Sequence, residues 1–235
     1  MLSVIVPTYN ESKNIDTLLS RLFAALKPNY IEYEVVIVDD NSPDGTAQIV
    51  EALKSKFDVR VVRRPKKISL SSAVINGFKV AKGDVICVMD ADLSHPPESL
   101  PMMFKEINAG TDLVIGSRCV PEGGATNWPW FRRFGSRFAQ ALAKPLTHIN
   151  DNTSGFFMMK RSVIEGADLN PIGFKILLEV LVKGSFNSVK EVPIVFNDRE
   201  GGKSKLGSRQ VIEYLKQLWI LYLGVMTGKI KRKQA

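Results

Sequence analysis

The chain has 235 residues, 45% hydrophobic and 24% charged, a composition typical of folded soluble domains that excludes a disordered or fibrous protein. Two cysteines are too few for a disulfide framework, and no apolar run approaches the roughly 20 residues needed to span a bilayer. The net charge of +8 is concentrated in residues 199–235, which carry +7, and this excess indicates an anionic partner: phosphate, lipid headgroups or nucleic acid.

Four apolar runs in the first 100 residues each precede a segment of helical periodicity. The alternation of the two patterns predicts an α/β fold with a mostly parallel sheet and right-handed crossovers. A fifth strand is expected at 112–116. The four predicted strands are 2–6, 34–38, 58–62 and 85–89, and the helices that follow them are 14–26, 46–53, 70–80 and 97–108.

Charged side chains follow these strands at their carboxyl ends, where open α/β sheets bind ligands. Asp39 and Asp40 end the second strand. Asp90 and Asp92 follow the fourth strand, and Arg118 follows the fifth. Two carboxylates at i and i+2 suit Mg²⁺ or Mn²⁺ held jointly with a diphosphate, and a guanidinium suits phosphate. Each acidic pair alone is also compatible with a solvated turn, so other motifs have to decide.

The turn after the first strand carries Tyr9 and Glu11. Glu11 could simply favour the N-terminus of the helix that follows, where the helix dipole stabilises negative charge. The functional alternative is that Tyr9 stacks on a base while Glu11 bonds the edge of that base or a ribose. The residue types leave both interpretations open.

The regular alternation breaks after residue 118. A helix predicted at 130–143 has phenylalanines on one face and arginines on the other, a pattern of interfacial helices that a core-packed helix with solvated arginines would also show. Further elements are a turn and strand from 151, a helix at 174–182, a strand at 188–196 and a glycine-rich basic loop at 198–205 that suits a diphosphate or is simply a solvated loop. A helix at 208–226 and a basic tail end the chain.

Several short motifs occur in a fixed order along residues 1–210. They are VPTYNE at 6–11, VDDNSPDGT at 38–46, MDADLSHPPE at 89–98, GSR at 116–118, NWP at 127–129, RR at 132–133, TSGF at 153–156, DR at 198–199 and SK at 204–205. Together they closely resemble the dolichyl-phosphate mannose synthase group of inverting family 2 glycosyltransferases, which have the GT-A fold.

The resemblance implies a role for each matching position. The metal, Mg²⁺ or Mn²⁺, would be held by Asp90, Asp92 and Ser94, although many members have glutamine where Ser94 stands. The acceptor phosphate would be held by Arg118, Arg132 and Ser154, and Asp92, Arg118 and Arg132 would carry the catalysis. The nucleotide-sugar donor would be bound by Pro7, Tyr9, Glu11, Val38, Asp40, Asp90, Ala91, Asp92, Arg199 and Lys205.

The implied reaction is the transfer of mannose from GDP-mannose to dolichyl or polyprenyl phosphate, with inversion. A phosphate whose second pKa is near 6 is already a nucleophile at neutral pH, so no strong protein base is needed. Neither His95 nor His148 stands in a catalytic context, and both are expected to be structural. The alternatives are a transferase of another nucleotide sugar such as UDP-glucose, onto lipid phosphate or glycan, and a basic nucleic-acid-binding protein.

We expect a GT-A domain at 1–207, with the interface helix 130–143 inserted, and an amphipathic membrane-associated helix with a basic tail at 208–235. The N-terminus has no signal-peptide pattern, so a reducing compartment and a peripheral position on the cytoplasmic face of the membrane are expected. The expected partners are a nucleotide sugar, a polyprenyl phosphate lipid and the membrane surface, without nucleic acid. The sequence sets no oligomeric state.

Overall fold

The computed structural model describes residues 1–170, 172–198, 207–230 and 233–234. Its strands are β1 (Leu2–Thr8), β2 (Tyr33–Asp39), β3 (Val59–Arg63), β4 (Val85–Val88), β5 (Leu113–Ser117), β6 (Gly124–Ala125), β7 (Phe157–Lys160), β8 (Ser185–Phe186), β9 (Val189–Pro193), β10 (Val195–Phe196) and β11 (Lys233–Gln234). Its α-helices are α1 (Ile15–Leu26), α2 (Thr46–Leu53), α3 (Leu70–Val80), α4 (Leu100–Asn108), α5 (Trp130–Ala143), α6 (Ile176–Lys183) and α7 (Ser208–Met226).

Seven strands form one sheet in the order β3-β2-β1-β4-β7-β5-β9. All neighbours in it are parallel except β7, which runs antiparallel to both β4 and β5. This mostly parallel sheet with helices on both faces confirms the predicted fold class. The two core clusters lie on opposite faces, one packed under α1 and α4 and the other under α3 and α6. The central strands are apolar throughout because both of their faces are covered.

The predicted bounds of α2, α3, α5 and α7 agree with the structure residue for residue. Most other predicted bounds differ by one or two residues, and two predicted elements differ in kind. The helix expected from residue 97 begins as a 3₁₀ turn, Pro97–Ser99, before α4. The strand expected at 188–196 is interrupted at Ile194, so that β9 pairs with β5 while β10 pairs with β6. The chain therefore leaves the main sheet at Pro193 and forms a small ladder beside the candidate site.

Helix α7 packs against α5 and α6. Its residues Tyr214, Leu218 and Leu221 are buried in a third apolar cluster with side chains of both helices. The Tyr214 hydroxyl donates to the Ala139 carbonyl at 2.6 Å, and the Tyr222 hydroxyl donates to the Leu142 carbonyl at the same distance. The predicted boundary at 207/208 stays a prediction, but the contacts make α7 part of the folded body.

Candidate active site

The turn after β4 presents Asp90 and Asp92 at the carboxyl edge of the sheet. Asp92 is 5% exposed, and its Oδ1 accepts hydrogen bonds from both the backbone N–H, at 3.1 Å, and the hydroxyl of Ser94. Leu93 between them has φ 62°, which lets the chain turn back tightly enough for these bonds. Ser94 therefore orients Asp92, and its predicted role as a metal ligand stays a prediction.

His95 fixes the other carboxylate of this turn. Its Nδ1 accepts the backbone N–H of Asp90 at 3.0 Å, its ring stacks on Phe156, and its Nε2 lies 3.9 Å from the Asp90 carboxylate. Burial lowers the pKa of His95 although Asp90 and Asp92 oppose this effect, so the imidazole is neutral with its proton on Nε2. The contacts give His95 the structural role expected from the sequence.

The two carboxylates can hold a divalent cation only with help from other ligands. Among the described residues, no group of three or more His, Cys, Asp or Glu side chains is placed to hold a metal ion. Mg²⁺ and Mn²⁺ sites in phosphate-transfer proteins commonly have one or two carboxylates, and substrate phosphate oxygens complete the coordination. Gly155 keeps this space open, because a Cβ there would lie 3.3 Å from the Asp90 carboxylate. The donor set therefore fits a metal that binds together with a diphosphate.

The ends of β1 and β2 form a second polar cluster. Asp39 accepts hydrogen bonds from Thr8 and Ser42 and so builds the turn. Asp40 forms an ion pair with Arg64 at 2.7 Å in which both side chains are buried. Burial raises the pKa of the Asp40 carboxyl although Arg64 opposes this effect. Of the two adjacent aspartates, Asp40 alone is placed as an ion-paired carboxylate beside the sheet edge.

Of the other residues predicted to bind the donor, Pro7, Tyr9, Glu11 and Val38 lie at the ends of β1 and β2. The backbone N–H of Glu11 donates to the Thr46 hydroxyl at 2.9 Å. The ammonium group of Lys67 lies 3.6 Å from the centre of the Tyr9 ring, so one face of that ring already carries a cation. Pro7 and Val38 are buried and pair in register, and Ala91 is buried between the two aspartates of the β4 turn. Arg199 and Lys205 lie outside the described residues.

Arg118, at the end of β5, is held by a carboxylate that the sequence analysis missed. Its Nε and Nη2 donate to the two oxygens of Asp151 at 2.7 and 2.6 Å, and Asp151 is fully buried. Burial would raise the pKa of Asp151, but the hydrogen bonds and charge of Arg118 outweigh it and lower that pKa. The guanidinium is therefore fixed in place by a bidentate ion pair.

Arg132, like Arg118, lies against the Trp128 ring. Its Nη1 donates to Asp198 at 2.7 Å, and its guanidinium lies 4.2 Å from the centre of the Trp128 ring, against 5.4 Å for that of Arg118. The indole Nε1 of Trp128 and the Nε of Arg132 are buried and have no hydrogen-bond partner within the described part of the chain. These two buried N–H groups, one of them on the Arg132 guanidinium itself, leave hydrogen-bonding capacity for an anion.

A cavity of about 290 Å³ opens beside Arg118 along the inner side of α5. Arg133 and Arg137 of α5 line it together with Ser136. The sequence analysis placed the α5 arginines opposite the phenylalanines but did not predict that they share a cavity with Arg118. Their i, i+4 spacing was the available signal, since such residues stand one above the other on a helix. Three guanidinium groups at one cavity make a site for a phosphate.

The segment around Thr153 brings Ser154 and Lys175 close to Arg118. The Ser154 hydroxyl donates to the Gly116 carbonyl at 2.8 Å, and its place at an acceptor phosphate stays a prediction. Lys175, before α6, was given no role. Its ammonium group donates to the Thr153 carbonyl at 2.8 Å. Burial and the charge of Arg118 lower its pKa to about 8, whereas Asp151 and Asp90 raise it. Lys175 is thus a further cation close to Arg118.

Comparisons with known proteins show the family of this chain. The model of the family "Glycosyl transferase family 2" matches residues 3–166. The dolichol-phosphate mannosyltransferase of Pyrococcus furiosus is 48% identical over 93% of this chain and 63% of its own length, so the chain spans less than two thirds of that relative. The dolichol-phosphate mannosyltransferase of Saccharomyces cerevisiae is 41% identical over 94% of this chain and 86% of its own.

A solved structure carries the same fold at low identity. Glucosyl-3-phosphoglycerate synthase from Mycobacterium tuberculosis, crystallised with Mn²⁺, UDP-glucose and glycerol 3-phosphate, superimposes with a TM-score of 0.67 at 16% identity, over 95% of this chain and 79% of its own. Such a likeness shows the fold alone, while the family model and the two mannosyltransferases show the family. The chain belongs to glycosyltransferase family 2, in its dolichol-phosphate mannosyltransferase group.

Proposed function

We propose that this protein transfers mannose from GDP-mannose to dolichyl or polyprenyl phosphate with inversion at the sugar. The names of the 41–48% identical relatives support the sugar and the acceptor. The observation that carries the proposal is the arrangement of charges. A pair of carboxylates at the β4 turn, suited to a donor diphosphate and its metal, lies at the same sheet edge as a cavity lined by three arginines, suited to an acceptor phosphate.

The donor half of the site is assigned to the β1, β2 and β4 turns. Asp40 and Glu11 are proposed to bind the nucleoside, and Asp90 and Asp92 the diphosphate together with Mg²⁺ or Mn²⁺. The bound metal would neutralise charge on the leaving diphosphate. Mn²⁺ in a solved structure of the same fold supports a divalent cation. Arg199 and Lys205 keep their proposed role as the clamp on the donor diphosphate.

The acceptor half uses the arginine cavity, and its chemistry is positioning rather than proton transfer. The acceptor phosphate is already ionised at neutral pH, so its oxygen attacks the anomeric carbon as the bond to the donor diphosphate breaks. Arg118 in the cavity, and Arg132 beside it against the Trp128 ring, screen the repulsion between the two phosphate groups. The neutral His95, with Nδ1 accepting a backbone N–H, is not required as a base. A single displacement of this kind inverts the sugar.

Lys175 makes the acceptor half sensitive to pH. With a pKa of about 8 its ammonium group is charged at pH 7 and neutral at pH 9, whereas a guanidinium stays charged. We expect kcat/KM for the lipid phosphate to fall about tenfold per pH unit above pH 8, since the fraction of charged lysine falls at that rate. In Lys175→Arg this alkaline fall should vanish. The same decrease of kcat/KM above pH 8 in the wild type and in Lys175→Arg would show that Lys175 does not act on the acceptor.

The exposed faces of α5 and α7 are proposed to lie on the membrane surface. No helix in the described part of the chain is long and apolar enough to cross a bilayer. The two helices pack together, and both expose large apolar residues. The exposed residues are Trp130, Phe131, Phe134 and Phe138 on α5, and Val211, Ile212, Leu215, Trp219, Ile220, Leu223 and Met226 on α7.

Vesicle flotation tests this surface. Phe134→Glu combined with Trp219→Glu should lower binding to anionic vesicles at least about 100-fold, because burying each aromatic side chain is worth about 1.5–3 kcal/mol. Deletion of residues 208–235 is a poorer test, since it would expose the cluster around Leu218 and Leu221. Tyr30→Glu, at a 97% exposed aromatic far from α5 and α7 in the sequence, is the matched control. Undiminished flotation of the double variant would place the membrane contact elsewhere.

A donor screen tests the proposed function. The purified protein is incubated with GDP-mannose, UDP-glucose or UDP-N-acetylglucosamine, each with a polyprenyl phosphate and Mg²⁺ or Mn²⁺. We expect transfer from GDP-mannose to the lipid phosphate. Transfer only from a UDP-sugar would support the alternative donor, and salt-sensitive binding to DNA without any transfer would support a nucleic-acid-binding protein.

A further inference from the structure

Each of the two helices with an exposed apolar face carries one buried glutamine on its inner side. Gln140 of α5 is 7% exposed and Gln217 of α7 is 2% exposed. Neither residue was singled out by the sequence motifs. Buried amides are unusual on helices whose inner faces are otherwise packed with apolar side chains. The hydrogen bonds that each glutamine makes therefore indicate its role.

Gln140 reaches the ion pair that fixes Arg118. Its Nε2 lies 3.2 Å from the Asp151 carboxylate and 3.2 Å from the sulfur of Cys119, the residue after Arg118. Its backbone carbonyl accepts the side-chain N–H of Asn152 at 3.1 Å, which ties the loop that carries Asp151 to the same turn of α5. Gln140 therefore contacts Asp151 of the bidentate pair directly and, on the other side, the residue that follows Arg118.

Gln217 reaches the segment that carries Lys175. Its Nε2 donates to the Lys175 carbonyl at 3.1 Å and lies 3.4 Å from the Glu179 carboxylate, both of which are acceptors, so the amide orientation is determined. Its Oε1 is buried and has no partner among the described residues. Glu179 also pairs with Lys183 of the same helix. Gln217 thus connects α7 to the backbone of Lys175.

Packing alone does not require these amides. A buried amide oxygen without a partner costs free energy, and an apolar side chain of equal length would fill the same space without that cost. What the amides add is a directional bond from each helix to a group that orients a cation. The ends of these bonds are Asp151, which orients Arg118, and the backbone of Lys175.

We propose that Gln140 and Gln217 are positioning residues that hold Arg118 and Lys175 in register with α5 and α7, so that seating of these helices on a lipid surface sets the geometry of the acceptor phosphate site. The inference rests on the proposed function and adds to it. The hydrogen bond of Gln140 links the buried ion pair to α5, so that the pair can follow a movement of this helix. Gln217 does the same for α7 and Lys175.

The test uses the full chain and separates the lipid surface from the acceptor. Mannose transfer to a short water-soluble prenyl phosphate is measured with and without vesicles of phosphatidylcholine and phosphatidylglycerol that contain no acceptor. In the wild type, vesicles should lower the KM for the short acceptor about tenfold, the effect of one hydrogen bond to a charged group. In Gln140→Met and Gln217→Met this decrease should be lost, while vesicle flotation and the KM for GDP-mannose stay unchanged.

Two further sets of variants make the result decisive. Gln140→Asn and Gln217→Asn keep the amide group but shorten the side chain, so the hydrogen bond is lost. They should lose the vesicle effect as the methionine variants do. If the methionine variants do not fold, the asparagine variants decide the outcome. Gln48→Met, at an exposed position on α2, should behave as the wild type. A retained vesicle effect in the asparagine variants, or a wild type that transfers mannose without any such effect, would overturn the inference alone. A wild type that transfers no mannose would overturn the proposed function as well.

Discussion

Asp92→Asn is expected to abolish sugar transfer while leaving the fold intact. The amide oxygen can still accept the two hydrogen bonds from Ser94 that shape the β4 turn. The loss is one negative charge at the position proposed for the metal, and a neutral amide binds a hard divalent cation poorly. We expect kcat to fall by about 10³-fold or more, because the leaving diphosphate then loses its charge stabilisation.

The measurement is turnover over a titration of Mg²⁺ and Mn²⁺, with thermal unfolding as the check on the fold. Asp84→Asn is the matched control, because Asp84 directly precedes β4 at its opposite end and its side chain is 92% exposed. The control should keep wild-type turnover. Near wild-type turnover of Asp92→Asn at saturating metal would contradict the assignment of Asp92.

Arg118→Lys is expected to raise the KM for the lipid phosphate about 100-fold and to leave the affinity for GDP-mannose unchanged. A lysine keeps the positive charge beside Asp151, so the buried carboxylate remains paired. It loses the fork geometry that lets one guanidinium hold Asp151 through two nitrogens and still offer its third to a phosphate. Steady-state kinetics for the acceptor and calorimetry for the donor separate the two effects.

Arg118→Ala is a poorer probe of the same assignment. Removing the arginine leaves Asp151 buried and unpaired, which is expected to cost about 3–5 kcal/mol of the free energy of unfolding. A loss of activity in this variant would then reflect a less stable fold and not a lost contact with the acceptor. Arg21→Lys is the control for Arg118→Lys, because Arg21 also makes a bidentate pair, with Glu98, at the surface. Equal losses of donor and acceptor affinity in Arg118→Lys would show that the acceptor assignment is wrong.

The sequence predicted the sheet and most helices because their signals are local. Each central strand is a continuous apolar run, and α2, α3, α5 and α7 have clear periodicity, so their bounds agree with the structure. The sequence predicted a strand after residue 151, but not its antiparallel direction or its place between β4 and β5, because that part of the chain lacks the strand-to-helix alternation. A strand order set by tertiary packing has no local sequence signal.

The acidic ends of β2 and β4 were located by the same local reasoning, but the groups that orient the cations were not. Asp151 pairs with Arg118 across 33 residues, and Gln140 and Gln217 reach their partners from amphipathic helices whose patterns marked only the exposed faces. Lys175 was named only as part of a predicted helix. Such long-range pairs depend on how the loop after α5 folds against β5, which residue types alone do not specify.

The configuration of the product tests the central claim most directly. The protein is incubated with GDP-mannose and a polyprenyl phosphate, and the anomeric carbon of the isolated lipid-linked mannose is assigned by NMR. A single displacement by the lipid phosphate, with no protein nucleophile, predicts that the configuration is inverted from the α-linked donor to a β-mannosyl phosphate. An α-linked product would require two displacements through the protein and would contradict the account.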